Sequence, residues 1–400
     1  MKDCIYLDNN ATTQIDSEVL SEMMPYLNFY YGNPSSMHSF GGQVGKAVRT
    51  GREQVASLLG AEPSEIIFTS CGTEGDNAAI NAALISQKNK RHIITTEVEH
   101  PAILSHCKQL ERQGYQVTYL SVDRYGQLDL NEVQASLNGN TALVSIMYAN
   151  NETGVIFPIE EIGQMVKEYG ALFHVDAVQA VGKIPLNMKT STIDMLTISG
   201  HKIHAPKGIG ALYIRKGVRF RPLIIGGHQE RGRRGGTENV AGIAALGKAA
   251  ELAQLNLSNI HEERELRDYL ENTILNLIPD TVVNGERTKR LPNTTNIGFK
   301  YIEGEAILLS INKYGICASS GSACTSGSLE PSHVLRAMKV PYSVLHGSIR
   351  FSLSRYTTKS EIDRVIEILP DTISRLRAIS PFSSDNSTWL QEMEKEALAK

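Results

Sequence analysis

Met195-Leu196-Thr197-Ile198-Ser199-Gly200-His201-Lys202 reads as a short, largely apolar run closed by a small-residue turn and a lysine. Such a run predicts a buried strand, and the Ser-Gly turn places Lys202 just past its carboxyl end. Working outward, similar runs recur at residues 66–68, 93–94, 142–147, 172–175 and 211–214, separated by helical patterns. Continuous rather than alternating apolar runs belong to parallel strands covered by helices on both faces. The first two thirds of the chain therefore predict an α/β domain around a mostly parallel sheet. In open sheets of this kind ligands collect at the carboxyl rim, so residues that follow each run are the first candidates for chemistry.

At 400 residues the chain is long enough for two domains. An Ala/Leu-rich helical stretch at 241–255 and a charged helix from His261 towards Leu277 mark the boundary. Beyond them the pattern predicts a strand at 295–299, a helix at 303–312, a strand at 348–353 and an amphipathic helix carrying Ile362, Val365, Ile366 and Leu369. This gives a large domain over 16–258, a smaller α+β domain from 1–15 with 259–380, and a polar tail at 381–400.

A formal net charge of −3 with 21% charged residues gives no general affinity for nucleic acid. The basic cluster Arg231-Gly232-Arg233-Arg234 lacks interleaved aromatics and reads as a phosphate or dimer contact. No stretch is long and apolar enough to span a bilayer and the start lacks a leader-like apolar core, so a cytoplasmic protein without membrane contact is expected. The five cysteines are an odd number without a Cys-x-x-Cys pair, which predicts neither a disulfide framework nor a metal site and fits a reducing compartment.

Lys202 at a strand end can form a Schiff base with an aldehyde cofactor if its amine loses a proton, although a lone lysine reads equally as a solvated one. Asp176, ending the run 172–175, could pair with a pyridinium nitrogen, with Gln179 three residues on reaching a phenolic oxygen; alone, Asp176 reads as a helix cap. Cys71-Gly72-Thr73 opens a helix and could cradle a phosphate, or be only a capped turn. His100 follows the run at 93–94 and could stack on an aromatic ring, or be structural. Together these positions supply the Schiff-base, ring-nitrogen, phosphate and stacking contacts of pyridoxal 5'-phosphate. Cys324 sits among the small residues Ser319-Ser320-Gly321-Ser322-Ala323 and Thr325-Ser326-Gly327-Ser328, which cannot bury much apolar surface, so its thiol is presented rather than packed.

The chain resembles the NifS/IscS cysteine desulfurases, pyridoxal-phosphate enzymes of fold type I. The resemblance covers roughly residues 4–380 and rests on Tyr6-Leu7-Asp8-Asn9-Asn10-Ala11-Thr12-Thr13, Gly32-Asn33-Pro34-Ser35-Ser36, Asn150-Asn151-Glu152-Thr153-Gly154, Ser199-Gly200-His201-Lys202, Ser320-Gly321-Ser322-Ala323-Cys324 and Arg350-Phe351-Ser352-Leu353. It implies that Lys202 carries the cofactor and moves the α-proton, that His100 stacks and handles protons, and that Asp176 and Gln179 hold the ring. Gly72, Thr73, Ser199 and His201 would bind the phosphate, and Thr237 would reach the phosphate of a neighbouring subunit in a homodimer. Asn151 would contact the cofactor and, with Arg350, take the substrate carboxylate. Cys324, in a mobile loop at about 319–332, would receive sulfur from L-cysteine as a persulfide, leaving L-alanine, and pass it to an iron–sulfur scaffold or another acceptor; it could contact a cluster transiently.

The wording at 316–320 and 330–334 leans towards the nitrogen-fixation branch. Two departures stand out. Cys71 replaces the usual glycine of the phosphate turn, and the tail beyond Pro381 does not match housekeeping members. A selenocysteine lyase, or another fold-type-I aminotransferase or lyase, would share the Lys202 site, but the latter leaves the Cys324 loop without purpose. A scaffold binding a cluster through Cys324 would need ligand spacing that Cys317 and Cys324 lack.

Overall fold

The computed structural model describes residues 4–320 and 331–381. The chain opens with a short strand, β1 (Ile5–Tyr6), and two helices, α1 (Ser17–Asn28) and α2 (Ser39–Leu59). Alternation follows: β2 (Ile66–Thr69), α3 (Gly72–Ser86), β3 (His92–Thr96), α4 (Pro101–Arg112), β4 (Gln116–Leu120), α5 (Leu130–Ser136), β5 (Thr141–Met147), α6 (Ile159–Glu168) and β6 (Leu172–Asp176). Two adjacent strands, β7 (Met195–Ser199) and β8 (Gly210–Ile214), precede the long helices α7 (Val240–Asn256) and α8 (Ile260–Leu277). The last third holds β9 (Thr281–Val283), β10 (Thr294–Phe299), α9 (Gly304–Asn312), β11 (Ile316–Cys317), α10 (His333–Ala337), α11 (Tyr342–Leu345), β12 (Ser348–Ser352) and α12 (Lys359–Ile379).

Seven strands form the main sheet in the order β2-β8-β7-β6-β5-β3-β4. All run the same way except β8, which is antiparallel to both β2 and β7. The two-residue period of a strand sends neighbours to opposite faces, and the cores divide accordingly. Ile66, Phe68, Ile94, Leu196 and Ile198 join α1, α2 and α7 on one side. Ile67, Ile93, Met195 and Leu212 meet α3 and α4 on the other. Both faces are therefore dry, which is why these strands read as unbroken apolar runs. The edge strand β4 did not, because its first four residues remain partly or fully exposed and its sequence, Gln-Val-Thr-Tyr-Leu, alternates. Helices α2 and α7 approach closely at two glycines: a Cβ on Gly247 would lie 2.5 Å from the Gly51 Cα.

The second lobe has its own apolar cluster, with Leu7, Leu270, Ile297, Phe299, Phe351 and Ile362 among its members. Its three-stranded antiparallel sheet, β12-β10-β9, is accompanied by a two-stranded parallel pair, β1-β11. The strands at 294–299 and 348–352 and helices α9 and α12 stand where the patterns predict, whereas β9 and β11 are too short to carry a period.

This lobe also buries a carboxylate. Glu271 of α8 is 0% exposed and accepts hydrogen bonds from Arg290 at 2.5 and 2.9 Å, from Arg287 at 2.9 Å and from the Thr295 hydroxyl at 2.6 Å. Arg290 in turn forms a backbone bridge to Val155 of the large lobe. Removing the carboxylate leaves the buried Arg290 guanidinium with only Asp268, 3.5 Å away and partly exposed, as its anion among the described residues, a defect that costs on the order of 3 kcal/mol. Glu271→Ala is therefore expected to lower the urea midpoint by a corresponding amount, and an unchanged midpoint would contradict the role assigned to this pair.

Candidate active site

Four strands that run the same way deliver their carboxyl ends to one rim. β7 continues into Ser199, His201 and Lys202; β6 ends on Asp176 and turns through Gln179. β3 leads to His100 at the start of α4, and β2 leads through Cys71 to Gly72 and Thr73 at the start of α3. These residues border a cavity of about 300 Å³ that Asn151 and Arg350 complete. Ten of the residues singled out in the sequence thus meet in one place although they span 279 positions, from Gly72 to Arg350.

Two do not. Thr237 is exposed in a separate hollow with Ser70 and Arg234, outside the cavity of its own chain. Cys324 lies outside the described residues. The chain on either side of 321–330 is nevertheless tied to the cavity's surroundings. Ser319 and Arg350 exchange backbone hydrogen bonds at 2.6 and 3.2 Å, the Ser332 hydroxyl donates to Glu152 at 2.5 Å, and the His333 ring hydrogen-bonds the Glu99 carbonyl at 2.9 Å.

Local chemistry sets the charge of each group. The Lys202 amine donates to the main-chain carbonyls of Asn10 and Ala11, each at 2.7 Å. The His100 ring caps α4, its Nδ1 accepting the Ala102 N–H at 3.2 Å, so the neutral ring carries its proton on Nε2. Burial, with Lys202 nearby, pulls its pKa down to about 4, and the ring is neutral at physiological pH. Asp176 accepts the Val178 N–H at 2.9 Å, yet burial pushes its pKa up to about 6. Arg350 is only 4% exposed; it donates to Asp8 at 2.7 Å and to the Asn151 carbonyl at 3.0 Å, while its Nε has no partner.

Three residues escaped the sequence reading. Asn10 is a hub: its side chain donates to the Asn151 carbonyl at 3.1 Å and to the Thr294 hydroxyl at 2.9 Å, and its main-chain carbonyl accepts from Gln179 at 2.9 Å. Asp76, one helical turn into α3, lines the cavity fully buried, and burial together with the Asp176 charge holds its pKa well above the carboxylate range. An acidic residue amid Gly75, Ala78 and Ala79 was the available signal. Lys183 is buried behind Gln179. The basic cluster has internal duties: Arg231 and Arg233 donate to the Ser64 carbonyl, and Arg234 pairs with Glu74 at 2.9 Å. Cys4 and Cys317 also meet, with sulfurs 3.2 Å apart, because β1 and β11 pair.

Residues 5–365 match the family model Aminotransferase class-V. A cysteine desulfurase of Trichormus azollae is 76% identical, with 98% of each chain covered. The cysteine desulfurase NifS of Azotobacter vinelandii is 58% identical over 96% of each. Among solved structures, a NifS-like protein superposes with a TM-score of 0.88 at 41% identity, covering 94% of this chain and 100% of that one. A structure described as SspA in complex with cysteine gives 0.78 at 35% identity, covering 88% and 99%. The geometry of the rim and these likenesses agree: the chain belongs to the class-V aminotransferases and, within them, to the cysteine desulfurases.

Proposed function

We propose that this chain converts L-cysteine to L-alanine and carries the sulfur away as a persulfide on Cys324. The observation that supports this most directly is the shared rim: Lys202, Asp176, His100 and Arg350 border one cavity, and both ends of the 321–330 segment are anchored beside it. The division into a large domain over 16–258 and a smaller one from 1–15 with 259–380 draws support from the second apolar cluster, whose buried members all come from the smaller one, although Leu291, Val334 and Leu345 pack with the large-domain cluster.

The family depends on pyridoxal 5'-phosphate, and the residues present fit it. No side chain caps the first turn of α3, whose amides at Gly72 and Thr73 suit an anion. The Ser199 hydroxyl is buried at the same edge without a partner. Thr73, Ser199 and His201 would hold the phosphate, Asp176 the ring nitrogen and Gln179 the phenolic oxygen, with His100 stacked on the ring. When bound, the cofactor supplies an aldehyde for Lys202 and a protonated ring that draws electrons from the carbon bearing the substrate amine.

The chain's own groups do the rest. Arg350, which borders the cavity with Asn151 beside it, takes the substrate carboxylate by a two-point contact. Lys202 Nζ moves the α-proton. His100, neutral and protonated on Nε2, can donate at one atom without bringing charge into the site. The Cys324 thiolate attacks the substrate sulfur: an S–S bond forms, the Cβ–S bond breaks, and its electron pair stays with carbon, which takes up a proton and leaves as alanine. The persulfide then passes to an acceptor, an iron–sulfur assembly scaffold by the reading above. A homodimer in which Thr237 completes the partner's phosphate site accounts for that residue's exposure outside its own cavity.

Three measurements test this reading. Lys202→Ala should bind cofactor without the visible band of the lysine adduct; a normal band would refute the assignment. Cys324→Ala should keep the yellow cofactor and release no sulfide from L-cysteine, and undiminished release would remove Cys324 from the mechanism. Asp176 gives a pH-dependent outcome. Its pKa is higher folded than unfolded, so its contribution to the stability of the cofactor-free protein is full below about pH 4 and is lost as pH rises through about 6. The Asp176→Asn variant has no charge to bury. Cofactor-free at pH 8 it should be more stable than the wild type, by on the order of 1–3 kcal/mol, while retaining the cofactor less well. A variant less stable at pH 8 than the wild type would count against a buried, unpaired carboxylate.

A further inference from the structure

Lys183 lies in the turn that follows β6, four residues beyond Gln179, and is 8% exposed. Lysine amines are buried only where something holds them. Here the Nζ donates to the Gln179 Oε1 at 3.0 Å and to the Asn10 Oδ1 at 3.3 Å, both neutral amide oxygens. Burial and the nearby Lys202 charge bring its pKa down to about 7. Protonated or neutral, the amine keeps enough N–H groups for both bonds.

The consequence falls on Gln179. Its oxygen is taken by Lys183, and one N–H of its Nε2 goes to the Asn10 carbonyl at 2.9 Å. Gln179 lines the cavity with one N–H of this fixed amide still unused. The oxygen faces Lys183 and the nitrogen faces away from it, so the free donor of the amide is its second N–H, and an acceptor oxygen on the ligand is its natural partner. We propose that Lys183 is a positioning residue: it fixes the Gln179 amide with an N–H towards the phenolic oxygen of the bound cofactor and, through Asn10, steadies the carbonyl that receives Lys202. This rests on the reading that the cavity holds pyridoxal phosphate. Without Lys183 the Gln179 oxygen is buried with no donor, a state costly enough for the amide to leave its orientation.

The test compares full-length Lys183→Met, Lys183→Gln, Gln179→Leu and the Lys183→Met/Gln179→Leu double variant. Two readouts are followed: the dissociation constant for pyridoxal phosphate and the position of the visible band against pH. Lys183→Met should weaken cofactor binding roughly tenfold or more and displace the band. Lys183→Gln, which keeps a donor, should recover most of both. In the Gln179→Leu background Lys183→Met should add less than about threefold, because its effect passes through the amide. An equal loss in both backgrounds, or a Lys183→Met protein with the wild-type constant and band, overturns the proposal. If Lys183→Met has a lower denaturation midpoint when cofactor-free and Lys183→Gln restores the midpoint but not the band, the residue is structural and the proposal also fails. Failure of the underlying reading looks different: the wild-type protein itself would not bind pyridoxal phosphate.

Discussion

A single buried amide holds the two lobes and the catalytic rim in register. Asn10 follows β1 closely and is buried. Its carbonyl receives Lys202 and Gln179 from the large lobe, and its side chain bonds Lys183, Asn151, Thr294 and Asn293. Buried polar groups of this kind must be fully partnered. The geometry is therefore over-determined: moving any one partner leaves another unsatisfied. The Lys202 amine donates to the carbonyls of Asn10 and Ala11, chain that comes from the segment after β1.

The same crowding explains the charges. Asp76, Asp176 and Glu99 are all withdrawn from water near one end of the sheet, and burial raises each. Lys202 and Arg350 border the same cavity, and burial keeps His100 and His174 neutral. Asp176, raised only to about 6, is the one of the three best placed to carry charge near neutral pH, which suits the ring nitrogen proposed for it. The groups are already oriented, so binding demands little rearrangement. Arg350 has the same character. Asp8 and the Asn151 carbonyl hold its terminal nitrogens, and its buried Nε has no partner among the described residues.

Sequence reading recovered the buried strands because both faces of the sheet are dry, so 66–68, 142–147 and 195–198 lose the alternation that marks a wetted strand. It missed β4, whose edge position leaves it half wet, and β9 and β11, where two or three residues carry no period. Most of the site was legible for a topological reason: Ser199, Asp176, His100 and Thr73 each follow a strand, and the carboxyl rim of such a sheet is one line in space. Asn10, Asp76 and Lys183 were not legible as site residues, since each sits in a segment whose local pattern has an ordinary structural explanation. The meeting of Cys4 with Cys317 was likewise hidden, because it depends on pairing between strands more than 300 residues apart.

By itself the sequence determined what is local and repeated: the strand ends, the lysine after its Ser-Gly turn, the small-residue surroundings of Cys324, and the family motifs that carry the resemblance. Only the tertiary structure decided which of those ends face one another. It also decided that the Gln179 oxygen faces Lys183, and that Thr237 stands outside the cavity of its own chain. The reason is that periodicity and turn chemistry act over a few residues, whereas hydrogen-bond orientation and burial depend on contacts between segments that the sequence keeps far apart.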